Sequence, residues 1–444
     1  MRKLVTTVFA SITASSAAFA APTTILFVGN SYTFGRVDPV LSYNTGNVDD
    51  MTRPRPADPE PNFTGTVGTR AWEPHPWGGV PGIFKQLADQ ADVAFDVSMS
   101  TRNAASLRGH FLNTANRGNT DWDLRGNIAK KKWDIVVLQE QSDAALPAGR
   151  GANANYPLFS TYADKIEEFI RVGATYNYRE RDIFGGTVGS ATQKNAACAA
   201  LTGLSTDQCG MLRTIPVNPN ASALTKVYLT LTWARPDMVF PHLATIADAN
   251  YPTVPDGRPI IDTAGGASPN GYPDTLYYAA EGLAGMTADL RAAFASKAQA
   301  NPNFAGVIPV GDAFQRAVDT GIAKGDGFYT EEGVYAAAVP QDKINLWWID
   351  YLHASKYGSY LSALVIFGKL TGINPASFGA NEKAASELGI SPGDAVKLQR
   401  VAWDQLAAEG MPLTTVPCLR ANPDAPGAGA GSQSALVCGR GRGR

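Results

Sequence analysis

Short apolar runs alternate along this chain with stretches of helical period, and turn-forming residues separate them. The first run, Ile25-Leu26-Phe27-Val28, ends at Gly29-Asn30 and reads as a buried strand that delivers Ser31 at its carboxyl end. Ile83, Phe84, Leu87 and Ala88 share one helical face and predict a helix over about 82–91. Val93, Phe95, Val97 and Met99 alternate and predict a second strand. Trp133–Leu138 is a third, of the continuous kind found in parallel sheets buried on both faces. A helix near 158–172 groups Tyr162, Ile166, Phe169 and Ile170. Lys226–Trp233 and Gly306–Gly311 give the fourth and fifth strands, with a helix near 276–298 between them and Asp312 placed to cap the next. Further helices are predicted from Ser355 to about Leu370 and over 392–409. This order predicts an α/β fold, a three-layer α/β/α sandwich around a central, mainly parallel five-stranded sheet. Ligands of such sheets sit beyond the carboxyl ends of the strands, where Ser31 stands.

Composition adds boundaries to this picture. The chain has 444 residues, 44% of them hydrophobic, which is enough for a sizeable core. Its 44 Gly and 29 Pro point to long loop insertions, placed near 36–80, 174–222, 236–274 and 324–345. Trp72, His75 and Trp77 close the first of these, as cleft lining or as loop packing. A formal net charge of −2 leaves no basic field for nucleic acid. Residues 1–20 read as a signal peptide: Arg2 and Lys3, an apolar stretch from Leu4 to about Ile12, then Ala18-Phe19-Ala20. That stretch is too short to span a membrane, and no other run is long enough. The expectation is an exported protein, periplasmic or extracellular. The four cysteines agree with export. Cys198 with Cys209 and Cys418 with Cys438 would form two local disulfides, the second within a Pro/Gly-rich tail over 411–444, although other connectivities stay open. Zinc is disfavoured, since no C-x-x-C pair or histidine cluster accompanies them.

The candidate chemistry starts at Ser31, either a helix cap or a nucleophile. Only four histidines are available as a base. His75 and His242 lie beside prolines in loops, and His110 follows the second strand. His353 has Asp350 three residues before it, a spacing that lets a carboxylate orient one imidazole nitrogen while the other faces a serine. The bland alternative is a capping aspartate beside a surface histidine.

Joined in order, Gly29-Asn30-Ser31-Tyr32-Thr33, Ser106-Leu107-Arg108-Gly109-His110 and Asp350-Tyr351-Leu352-His353 resemble the blocks of the SGNH (GDSL-like) hydrolase superfamily. The resemblance covers about residues 25–375, with Asn30 where the commoner form has Asp. At the third block, Val137-Leu138-Gln139-Glu140-Gln141-Ser142 replaces the usual G-x-N-D and resembles a branch in which glutamine stands for asparagine. A glutamine amide can donate the same hydrogen bond with one more methylene of reach.

The resemblance implies a flavodoxin-like SGNH fold and one hydrolase domain over 21–410. It also implies ester hydrolysis through an acyl-enzyme: Ser31 attacks, His353 takes its proton and Asp350 holds the imidazole. The Ser31 and Gly109 N–H groups and the amide of Gln141 or Gln139 would form the oxyanion hole, with Gln141 preferred as nearer the loop. No metal or cofactor is required. His110, Trp233 and Trp347 are candidate substrate contacts, with a packing role as the alternative for each. The substrate would be a small-molecule or polymeric ester: an acetylated carbohydrate, a short acyl ester or a polyester. The rival reading is a non-catalytic carbohydrate- or surface-binding protein that keeps the fold. The joint presence of Ser31, Asp350 and His353 argues against it, and the atypical third block argues for it. A dinucleotide site fails because Gly29–Gly35 is not G-x-G-x-x-G, and the P-loop lysine is missing.

Overall fold

Strand β1 (Thr23–Gly29) lies inside a six-stranded sheet together with β2 (Asp49–Asp50), β3 (Phe95–Thr101), β4 (Ile135–Gln139), β7 (Lys226–Thr230) and β8 (Phe304–Ile308). The spatial order is β2-β3-β1-β4-β7-β8, and every pairing is parallel. The computed structural model describes residues 21–36, 38–51, 76–112, 123–242, 275–331, 336, 342–415, 418–420 and 436–438. The leader over 1–20, Trp72, His75 and most of the tail lie outside these residues.

Ile25, Leu26, Phe27 and Val28 are each at most 1% exposed. Because successive side chains point to opposite faces, this burial requires that both faces of β1 be covered. On one side helix α2 (Gly79–Gln90) sets Phe84 edge-on to Phe27 at 5.5 Å and against Phe367 of the helix Lys356–Thr371. Elsewhere helix α3 (Leu107–Leu112) packs Phe111 on Tyr162 and Phe169 of the helix Tyr156–Arg171. One continuous buried cluster runs from Ile25 to Leu406. No helix among the described residues is long and apolar enough to cross a membrane.

The sheet has six strands where the hydrophobic pattern predicts five. The extra one, β2, is two aspartates without an apolar run; Asp50 is buried and accepts the Trp77 N–H at 3.0 Å. The stretch 174–222, expected to be irregular, holds an antiparallel pair, β5 (Tyr176–Tyr178) and β6 (Arg213–Ile215), and three short helices. Two of those helices open with capping boxes, Ser190 with Gln193 and Ser205 with Gln208, and the Cys198–Cys209 disulfide joins them. In the tail, β9 (Cys418–Arg420) and β10 (Leu436–Cys438) pair antiparallel with Cys418 opposite Cys438. Asp312 lies within the first turn of the helix Val310–Asp319 and pairs with Arg291 instead of capping it.

β1 has β3 on one side and β4 on the other, so the chain order reverses there. That reversal opens a crevice at the carboxyl end of β1, where Ser31 follows.

Candidate active site

The nucleophile loop is built by Asn30. Its backbone leaves the strand at φ −128°, and its side-chain oxygen accepts the Tyr32 N–H at 3.0 Å to start helix α1 (Ser31–Phe34). Its Nδ2 donates to the Ala105 carbonyl at 3.0 Å, and its N–H donates to Gln139 Oε1 at 2.9 Å. One asparagine thus ties the turn after β1 to the segment after β3 and to the end of β4. Gly29 is required beside it, since a Cβ there would collide with Thr33 Oγ1 and Gln139 Oε1. The Ser31 N–H, at the start of the helix, meets no acceptor among the described residues.

Ser31 Oγ lies 2.8 Å from His353 Nε2, and His353 Nδ1 lies 2.5 Å from Asp350 Oδ2. Asp350 Oδ1 accepts the Leu352 and His353 N–H groups at 3.0 and 2.9 Å. Tyr351 allows this tight turn by adopting φ +52°, a sparsely populated conformation for a bulky residue. Its ring is held between Phe328 and Tyr329, with centroids at 4.7 and 5.0 Å. Burial pushes the Asp350 carboxyl up, but the His353 imidazole beside it and the Leu352 and His353 N–H groups outweigh it and hold it below its ordinary value. An anionic Asp350 fixes the imidazole proton on Nδ1 and turns the Nε2 lone pair to Ser31.

The other predicted residues separate into two groups. Gly109 lies within α3, and its N–H donates to Ser106 Oγ at 3.1 Å. The turn nearer Ser31 is Arg102–Ala105, closed by the Ala105 N–H on the Arg102 carbonyl at 3.2 Å. Ala104 stands there at φ +54°, and its N–H meets no acceptor among the described residues. A glycine at that point would have marked the turn; alanine hides it. Gln139 is turned inward: Oε1 accepts from Asn30 N and Thr33 Oγ1, and Nε2 donates to the Glu140 carbonyl. Gln141 is half-buried and places Nε2 3.1 Å from Ser142 Oγ, which leaves one of its two amide protons available.

His110, Trp233 and Trp347 support the site from behind. His110 is fully buried and donates from Nε2 to the Gly29 carbonyl at 2.8 Å; burial pushes its pKa down to about 3, so the ring is neutral. Trp233 is sandwiched between Tyr32 at 3.9 Å and Phe314 at 4.8 Å, and its Nε1 donates to the Leu352 carbonyl at 3.1 Å. Trp347 is 2% exposed and donates to the Ala234 carbonyl at 3.0 Å. Trp77 is also buried, stacked on Phe34. His242 stacks on Tyr329 and engages the Phe240 carbonyl.

Three charged residues, Arg235, Asp143 and Glu140, surround the third block. Arg235 donates to Ser142 Oγ at 3.0 Å and reaches Asp143 and Asp237. Burial pushes the Asp143 carboxyl up, but Arg235 and Asn153 overcome this and hold it below its ordinary value. Glu140 has no cation partner among the described residues, and burial pushes it up to about 7 despite N–H bonds from Gln141 and Leu107. No group of three or more His, Cys, Asp or Glu among the described residues is arranged to hold a metal ion.

No family model and no curated protein matches the sequence. Among solved structures, the chain is similar to a DUF4886 family protein from Bacteroides uniformis, at 12% identity and TM-score 0.38, over 88% of this chain and 97% of that one. It is similar also to a protein from Slackia heliotrinireducens classed with the SGNH hydrolases, at 14% identity and TM-score 0.32, over 79% of this chain and 100% of that one. A third is Est24, a carbohydrate acetylesterase from Sinorhizobium meliloti, at 11% identity and TM-score 0.28, over 87% and 99%. These low scores leave the functional argument to the geometry of the site.

Proposed function

We propose that this chain is an exported serine esterase of the SGNH type, with its hydrolase domain over 21–410, acting through Ser31, His353 and Asp350. The observation that carries the reading is the continuous relay from Ser31 Oγ through the imidazole to Asp350, at 2.8 and 2.5 Å, between residues 322 apart in sequence. A helix-capping serine has no need of a histidine whose other nitrogen is held by a buried carboxylate.

In this reading Ser31 Oγ bonds to the ester carbonyl carbon as its proton passes to His353 Nε2. The imidazolium, steadied by Asp350, gives that proton to the departing alcohol oxygen as the ester C–O bond breaks. Water then repeats the sequence on the acyl-enzyme and releases the acid. The oxyanion donors we assign are the N–H groups of Ser31 and Ala104, with the Gln141 amide as a third. Each such donor is worth about 10²–10³ in rate. Gly109 is not assigned this role because its N–H already donates to Ser106 Oγ, and Gln139 is not because its amide is buried and held by Asn30, Thr33 and the Glu140 carbonyl.

The test is hydrolysis of p-nitrophenyl acetate, butyrate and octanoate by the mature protein beside Ser31→Ala. Turnover that falls by roughly 10⁵-fold or more in the variant is expected. Equal rates in the two proteins would refute the nucleophile. No turnover in either, with Ser31 inert to a fluorophosphonate, would favour the binding-protein reading.

A further inference from the structure

A cavity of about 320 Å³ opens between the segments that follow β3 and β4. Ser106, Arg108, Glu140, Gln141 and Asn153 line it, and Leu158 gives it an apolar wall. Both segments are pinned to the nucleophile loop by Asn30, through the Ala105 carbonyl and Gln139 Oε1. The cavity therefore flanks the carboxyl end of β1, on which Ser31 is mounted.

Its wall holds polar groups whose bonding capacity the protein leaves unused. Glu140 is 1% exposed, and its Oε1 accepts the Leu107 and Gln141 N–H groups at 3.0 and 2.6 Å. Its Oε2 has no partner among the described residues. Gln141 Oε1 is buried and likewise has no partner among the described residues. The same lining also holds donors. Ser106 accepts the Gly109 N–H and keeps its own hydroxyl proton to give, and Arg108 is fixed in place by Glu180 through Nε and Nη2 at 2.5 and 3.1 Å.

We propose that this cavity receives the alcohol portion of the ester, and that this portion is a hydroxyl-rich ring of monosaccharide size; the inference rests on the esterase reading above. An alkyl or long acyl chain would cover the Glu140 and Gln141 oxygens without pairing them, which is costly. A hydroxyl both donates and accepts, so it satisfies both kinds of group in the lining, while the C–H face of a ring lies against Leu158. The volume stands at the small end of the range for small-molecule sites, which suits one ring rather than an oligomer held in full.

The test compares two acetate esters that differ only in their alcohol, a mono-O-acetyl methyl glucoside and ethyl acetate. Wild type is expected to favour the sugar ester in kcat/KM by roughly tenfold or more. Leu158→Trp, which fills the cavity, removes that preference, and Leu158→Ala, which takes away the apolar wall, weakens it. Thermal melting accompanies each variant; if the tryptophan variant does not fold, Ala144→Leu fills the same cavity from its other wall. Equal kcat/KM for the two esters in wild type, or a preference that survives filling, overturns the subsite while ethyl acetate turnover still upholds the esterase. Absence of turnover on both esters and on p-nitrophenyl acetate overturns the esterase reading and the subsite with it.

Discussion

Asp350→Asn separates orientation from packing in the proposed triad. Asparagine is isosteric, and its Oδ1 can keep the Leu352 and His353 N–H bonds that Asp350 Oδ1 now accepts at 3.0 and 2.9 Å. The turn therefore survives. What changes is the second atom. At 2.5 Å from His353 Nδ1, a carboxylate oxygen accepts a proton, but an amide nitrogen donates one. Two donors cannot face each other, so the imidazole proton moves to Nε2 and points at Ser31 Oγ. The lone pair that should receive the serine proton is then on the wrong nitrogen. Loss of the correct tautomer in this constellation costs about 10⁴ in kcat, which is about 5 kcal/mol of transition-state stabilisation. KM for p-nitrophenyl acetate is expected to stay within a few-fold, since Asp350 touches no position that a substrate occupies. Steady-state kinetics and a thermal melt on the same preparation check both points. A well-folded Asp350→Asn protein that retains more than roughly a tenth of wild-type kcat would refute the orienting role.

Two further outcomes concern groups around the site. Glu140 is raised from 4.5 to about 7 in the folded chain, so between those values the folded state holds a proton that the unfolded chain has released. Its burial therefore lowers stability as pH rises through this window, by about 3 kcal/mol once pH exceeds 7. Glu140→Gln keeps an acceptor for the Leu107 and Gln141 N–H groups and removes that slope; urea unfolding at pH 5 and pH 8 should show the variant gaining relative to wild type only at pH 8, and parallel curves would contradict the burial argument. Ala104 at φ +54° carries the left-handed penalty of roughly 1–2 kcal/mol. Ala104→Gly relieves this at an entropic cost of about 0.5–1 kcal/mol, for a net gain of about 0.5–1 kcal/mol in urea unfolding; destabilisation would mean that the methyl group makes a contact worth more than the strain.

The central strands were legible because parallel strands buried on both faces leave continuous apolar runs, and Ile25–Val28 and Ile135–Leu138 are such runs. β2 was not, because a two-residue edge strand of aspartates is held by its contacts and carries no pattern of its own. The pairing of Ser31 with His353 was legible from the order of short motifs. Gly109 suggested a free backbone N–H, yet this one lies inside α3 and donates to Ser106 Oγ. The turn whose N–H meets no acceptor among the described residues carries Ala104, whose left-handed backbone no residue type announces. The aromatic residues misled for a related reason. Trp347 stands just before Asp350 in sequence and Trp233 closes the fourth predicted strand, but an indole that donates to the Leu352 or Ala234 carbonyl is spent on holding the backbone. The ordered stretch 174–222 carried a readable signal in Ser190-x-x-Gln193 and Ser205-x-x-Gln208, which the density of polar residues obscured.

The most direct test of the account is labelling of the folded protein with an alkyl fluorophosphonate, followed by peptide mapping. An activated serine attacks phosphorus and displaces fluoride without reference to the natural ester, so the result does not depend on knowing the substrate. The account predicts one adduct, on Ser31, formed in wild type and lost in both Ser31→Ala and His353→Ala. A folded wild-type protein that stays unlabelled, or that carries its adduct on another residue, would contradict it.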